Sequence, residues 1–246
     1  MEERFCSVNQ SPLSLQNKQI LFLDTGYSLV PSVAQVLHQL GARLFCASLQ
    51  DGTEQLFLED IATIVPLAPD ESIPQWMKRL VQKQGALDGV CVFPSAEQHG
   101  SSYSTLSLVL SAAQGLRQKK VRSLSSRLVV VSQQTTEEED SLEQGALRSF
   151  LRSLAVEVAP LGMCINQILW DPSLLPVEAS DTKRNSFTEN KKEATKLSQV
   201  GSPLGEGSPV DLAHSMAFLL SESGRWVTGT TMVLDGGSSL IKGKQV

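Results

Sequence analysis

A chain of 246 residues, 41% hydrophobic and 19% charged, has the size and balance of one α/β domain with a sizeable core. Its net charge of −5, with basic residues clustered only in short runs such as Lys119-Lys120, Lys183-Arg184 and Lys191-Lys192, argues against a nucleic-acid partner, because phosphate binding needs clustered Lys and Arg. No apolar run approaches the ~20 residues of a membrane span, and no signal-peptide core follows Met1-Glu2-Glu3-Arg4, so a soluble, cytoplasmic protein without membrane contact is expected.

Residues 1–16 are polar and rich in Ser and Gln, which reads as a flexible lead-in to a single domain over 17–246. Gln19-Ile20-Leu21-Phe22-Leu23 is a short apolar run ending at Thr25-Gly26, a buried strand. Val33, Val36, Leu37 and Leu40 then recur at helical spacing over 33–40, and Gly41 stops that helix. Strands are expected over 43–47 and 63–67, a helix over 73–83 and a strand over 88–93. A helix over 106–116, a strand over 128–131 and a long helix over 137–159 follow. That last helix carries a stripe of Leu147, Phe150, Leu151, Leu154 and Val158. A strand over 163–169, a long mixed segment over 171–208, a helix over 209–220 and a strand over 231–234 complete the series.

Strands that are apolar throughout, separated by amphipathic helices, are those of a parallel sheet covered on both faces. About seven such strands make a doubly wound, Rossmann-type domain. The cysteines Cys6, Cys46, Cys91 and Cys164 lie far apart, three of them inside apolar runs, which fits neither a disulfide framework nor a zinc site.

The last third of the chain carries a family signature. Ser208-Pro209-Val210-Asp211-Leu212-Ala213 leads to Ala217-Phe218-Leu219-Leu220-Ser221, then Trp226-Val227-Thr228-Gly229 and Val233-Leu234-Asp235-Gly236-Gly237. Upstream stand Leu154-Ala155-Val156-Glu157-Val158-Ala159-Pro160 and Ile165-Asn166-Gln167-Ile168. In order and spacing these motifs resemble the short-chain dehydrogenase/reductase family, in particular its ketoacyl-carrier-protein reductase branch. The resemblance runs over about 18–240 and is weakest between 95 and 127.

That resemblance implies an NAD(P)-dependent oxidoreductase, and the cofactor positions depart from it. The family's Thr-Gly-x-x-x-Gly-x-Gly turn reads Thr25-Gly26-Tyr27-Ser28-Leu29-Val30-Pro31-Ser32. Gly26 keeps the first glycine, while Val30 and Ser32 stand at the other two. A β-branched residue suits close backbone approach to a pyrophosphate poorly, and Pro31 removes an amide donor. Ser48 stands where NAD-using members carry an acid for the ribose, and Ala68 where an aspartate lies near the adenine. Val92-Phe93-Pro94-Ser95 replaces Asn-Asn-Ala-Gly. No cofactor is therefore expected.

The catalytic positions depart in the same way. The family uses Tyr-x-x-x-Lys on one helix face, the lysine holding the nicotinamide ribose and lowering the pKa of the phenol. Matching through Leu154-Ala155 puts Asp140 at the tyrosine and Gln144 at the lysine. The chain has two tyrosines, Tyr27 and Tyr103, and neither has a lysine four residues on. The substrate-orienting serine falls in Ser132-Gln133-Gln134, at Ser132 or Gln133, and the helix asparagine at about Ser104. The acids Glu137, Glu138, Glu139 and Asp140 suit a helix start after Thr135-Thr136. His38, His99 and His214 are isolated, so no metal site is expected. The segment 171–208 takes the place of the family's substrate lid, its Pro-Gly start replaced by Trp170-Asp171, and its charged centre reads as a solvated loop.

Residues 104–118, 137–159 and 209–240 match the parts that form subunit interfaces in this family. An intact interface beside altered site residues leads to the expectation of a pseudoenzyme subunit, in a homo-oligomer or beside an active paralogue. A divergent reductase using NAD or NADP, or a ligand- or acyl-binding protein using the crevice, are the alternatives. The sequence names no partner, pathway or ligand.

Overall fold

The computed structural model describes residues 11–24, 29–48, 61–65, 67, 71–93, 105–118, 120–134, 138–171, 202–205 and 207–242. They form a seven-stranded sheet of β1 (Gln19–Asp24), β2 (Arg43–Ser48), β3 (Ala62–Ile64), β4 (Leu87–Phe93), β5 (Arg122–Gln133), β6 (Cys164–Trp170) and β7 (Thr231–Leu234). The order across the sheet is β3-β2-β1-β4-β5-β6-β7, and every neighbouring pair is parallel. The helices are α1 (Val30–Gln39), α2 (Ile73–Gln84), α3 (Thr105–Arg117), α4 (Glu138–Val158), α5 (Pro209–Leu220) and the short α6 (Ser238–Lys242). This is the doubly wound Rossmann-type architecture expected.

Two cores explain why the strands are apolar on both sides. On one face Leu21, Leu23, Val90, Val92, Leu128 and Val130 pack against α2, α3 and α4. On the other, Ile20, Phe22, Cys46, Cys91, Val129 and Val131 pack against α1 and α5. Trp76 of α2 is fully buried, and burying a large apolar side chain contributes roughly 1.5–3 kcal/mol. Helix starts are set by local chemistry. Ser72 and Gln75 form a capping box before α2, and Ser208 and Asp211 another before α5, each with proline in the first turn. Gly41, at φ +95°, turns the chain from α1 into β2, where a Cβ would lie 3.0 Å from Gln16 Cα.

Several boundaries differ from the sequence expectation. The lead-in was expected to be flexible to residue 16, yet Leu15 is fully buried in the α1 core and its N–H donates to Leu40 O at 2.9 Å. Helix α1 starts at Val30, because proline tolerates a first turn. Strand β3 sits at Ala62–Ile64 and not at 63–67; Pro66 has no N–H to extend a ladder. Strand β5 starts at Arg122, six residues before its apolar run, with a register shift opposite Leu87 and Gly89. Helix α6 had no counterpart in the expected elements. No helix of the described residues is long and apolar enough to cross a membrane.

Candidate functional site

In a doubly wound sheet the ligand crevice opens at the carboxyl ends of the strands where the order reverses, here between β1 and β4. Gly26, Ala68 and Ser104 lie outside the described residues, as does the segment 172–201. Ser48 ends β2 and Asp140 stands in the first turn of α4, both described as backbone elements only.

At the start of α1, Leu29 and Val30 are buried in the core, while Ser32 is exposed. Leu29 occupies the N-cap position in a helical conformation with no side-chain cap, and Pro31 lies within the first turn. The helix therefore begins on apolar packing, with one amide donor removed.

The carboxyl ends of β5 and β6 hold a connected set of amides and hydroxyls. Gln144 Nε2 donates to Gln133 O at 3.4 Å, and Gln167 Nε2 donates to Gln144 Oε1 at 3.1 Å and lies 3.4 Å from Ser132 Oγ. Thr231 Oγ1 donates to Gln167 Oε1 at 3.1 Å. Ser132 and Gln167 are buried. Two sequence-derived positions, Ser132 and Gln144, are thus brought together, but Gln144 is engaged with the sheet. An amide at this position carries no positive charge to lower a phenol pKa. Sequence reasoning missed Gln167 and Thr231. The available signal was one long amide inside the apolar run Ile165-Asn166-Gln167-Ile168, since a buried amide requires partners.

A second buried set lies at the ends of β6 and β7. Ser238 Oγ donates to Asp171 Oδ2 at 3.0 Å, and Asp171 N donates to Leu234 O. Asp235 accepts from Gly237 N at 2.9 Å and Ser239 N at 2.8 Å. Burial pushes the Asp235 carboxyl up, but hydrogen bonds from Ser239, Gly237 and Ser238 outweigh it and hold the group below its usual range. Asp235 thereby tethers the start of α6.

The remaining candidates stay apart. His38 and His214 are exposed, His99 lies outside the described residues, and among the described residues no three His, Cys, Asp or Glu are grouped to hold a metal. A groove of about 550 Å³ lined by Gln19, His38, Arg43 and Thr63 opens at the amino ends of the strands, away from the crevice.

The parallel seven-stranded order and its crevice define a doubly wound, Rossmann-type scaffold. A family model described as enoyl-(acyl carrier protein) reductase matches residues 97–239. The chain is a member of the short-chain dehydrogenase/reductase family, which is NAD(P)-dependent. It is 34% identical over 95 residues to an L-rhamnose 1-dehydrogenase (NAD(P)(+)) of Azotobacter vinelandii, a match spanning 38% of this chain and 34% of that enzyme. Over 252 residues it is 22% identical to the oxidoreductase UcpA of Escherichia coli K12, covering 92% of this chain and 96% of that one. Among solved structures, a short-chain dehydrogenase/reductase from Serratia marcescens superposes with a TM-score of 0.71 at 16% identity, over 93% of this chain and 100% of the other. The enoyl-acyl carrier protein reductase of Bacillus cereus, in complex with NADP+ and indole naphthyridinone, gives 0.68 at 18% identity, over 91% and 96%. At these identities the superpositions speak for the fold alone.

Proposed function

We propose that this chain is a non-catalytic short-chain dehydrogenase/reductase, working as a structural or regulatory subunit beside an active reductase. The observation that carries the reading is Gln144. Its amide stands where the family places a ribose-holding lysine and is bonded to Gln133 O and Gln167. A polar network with its own partners is a stable structural unit, not a vacant site waiting for a cofactor. The apolar start of α1, with Val30 and Pro31, supports the same reading, because a pyrophosphate needs free backbone amides there. The residues present, Val30 and Pro31 at the α1 start and Gln144 on α4, do not fit a nicotinamide dinucleotide. Titration with NADH and NADPH, followed by thermal shift, is expected to give no saturable stabilisation at sub-millimolar cofactor. Saturable stabilisation by either would replace this reading with that of a divergent reductase.

One observation favours a ligand-binding use of the crevice as a second reading. Trp170 Nε1 and Gln134 Oε1, at the carboxyl ends of β6 and β5, are buried without hydrogen-bond partners. An unpaired buried polar atom costs about 1–3 kcal/mol, which a polar ligand reaching that atom would recover. Trp170→Phe keeps the ring and removes the donor. On this reading the variant loses binding of small carboxamides, such as nicotinamide or benzamide, while equal binding by both proteins rejects it.

A further inference from the structure

The groove of about 550 Å³ lies at the amino ends of the strands, the end of the sheet opposite the crevice. Its volume falls within the roughly 300–1,000 Å³ of small-molecule sites. The lining combines polar side chains, among them Asn17, Gln19, His38 and Arg43, with the apolar Leu44 and Ile61. Among the described residues that line it there is no Asp or Glu.

Arg43 is positioned by its neighbours on β2 and α2. One terminal nitrogen donates to Gln84 Oε1 at 2.6 Å, and the guanidinium carbon lies 5.3 Å from the centre of the Phe45 ring. A guanidinium fixed by a hydrogen bond and an aromatic face loses less freedom on meeting an anion than a free side chain does. Among the described residues Arg43 enters no ion pair. Asp88, whose carboxylate accepts from Gln19 N at 2.9 Å, is neutralised by Lys18 at 3.6 Å. The charge of Arg43 is therefore open to a ligand.

The rest of the wall fits the same kind of guest. His38, in the last turn of α1, has a ring N–H to donate in either charge state. A helix C-terminus repels anions through its free carbonyls, and here those carbonyls are covered. Ala42 N donates to Leu37 O at 3.1 Å, Gly41 N to His38 O at 2.9 Å and Leu15 N to Leu40 O at 2.9 Å. Gln19 Oε1 is buried without a hydrogen-bond partner among the described residues. An unmet acceptor favours a ligand whose hydroxyl reaches it.

We propose that this groove binds a small hydroxylated organic anion. Its phosphate or carboxylate pairs with Arg43 and His38, its hydroxyl serves Gln19, and its carbon frame lies on Leu44 and Ile61. The site is independent of the reading of the chain as a non-catalytic subunit.

Titration calorimetry of the full chain tests this, with glycerol 3-phosphate and glycerate as probes and glycerol as the uncharged control. At least one of the two anions is expected to bind saturably at millimolar concentration or below, and more weakly as salt is added. The tighter of the two identifies the head group, and glycerol is expected not to bind. Arg43→Gln is expected to weaken that binding at least about tenfold, because a charge-assisted pair is lost. If this variant fails to fold by circular dichroism, Thr63→Glu takes its place. Thr63 is exposed in the groove lining, and a carboxylate there would occupy Arg43 and repel the ligand, so the same loss is expected. Binding by neither anion, binding of glycerol as tight as theirs, or binding unchanged in the variant overturns the proposal. The groove lies away from the crevice, so titration with NADH and NADPH remains a separate test of the non-catalytic reading.

Discussion

Gln167 is enclosed by apolar strand neighbours, and its amide reaches Gln144, Ser132 and Thr231 at once. Gln167→Leu keeps the volume but leaves the Gln144 amide oxygen and the Thr231 hydroxyl without these partners. A loss of about 1–3 kcal/mol is expected from urea unfolding, whereas a change near zero would mean that the network is replaceable by packing. Asp235 gives the pH dependence at this scale. Its carboxyl is held below its ordinary value in the folded chain, so the folded state binds its proton less readily than the unfolded state. The stabilisation is complete above about pH 4, the usual carboxylate pKa, and is lost as pH falls through the lower folded value. Asp235→Asn is expected to unfold at lower urea near neutral pH and to show a shallower loss of stability in acid than the wild type. Parallel acid slopes for the two proteins would assign the acid sensitivity elsewhere.

At the level of elements, the caps are worth testing because they set where α5 begins. Ser208 N and Ser208 Oγ both donate to Asp211 Oδ2, at 2.8 and 3.0 Å, and α5 covers the sheet with Leu212, Met216 and Leu219. Ser208→Ala is expected to cost about 1 kcal/mol in thermal or urea unfolding. Gly224 is less tolerant: a Cβ there would lie 2.5 Å from Phe218 O and 2.8 Å from Leu219 Cα. Elements of this kind were legible in the sequence because capping residues and apolar runs act locally. Strand β4 and helices α2 and α5 follow their expected spans within a residue at each end. The first half of β5, Arg122 to Arg127, was not legible, since polar residues there pair by backbone across a register shift and not by an apolar pattern. In the site, Ser132 and Gln144 came only from the family resemblance, by matching through Leu154-Ala155 and the end of β5. Their bonding to Gln167 was not, because it depends on α4 crossing β6 and on a strand 23 residues away in sequence.

Across the whole molecule, α4 and the start of α1 lie on opposite faces of the sheet. Helix α4 packs on the face of β5 and β6, and α1 rises from β1 onto the opposite face. Restoring one does not restore the other. The α1 start would still present buried Val30 and Pro31, where a dinucleotide needs open backbone. Asp140→Tyr/Gln144→Lys is therefore expected to give no NADPH-dependent carbonyl reduction above the uncatalysed rate. Adding Val30→Gly and Ser32→Gly is expected to raise cofactor affinity before it raises turnover, since binding precedes positioning of the reacting atoms. Fluorescence titration with NADPH alongside a reduction assay separates the two. Turnover in the double variant would show that the crevice still holds a dinucleotide through the rest of its lining. The change in function would then lie in the loss of two catalytic side chains and not in the rebuilding of the site.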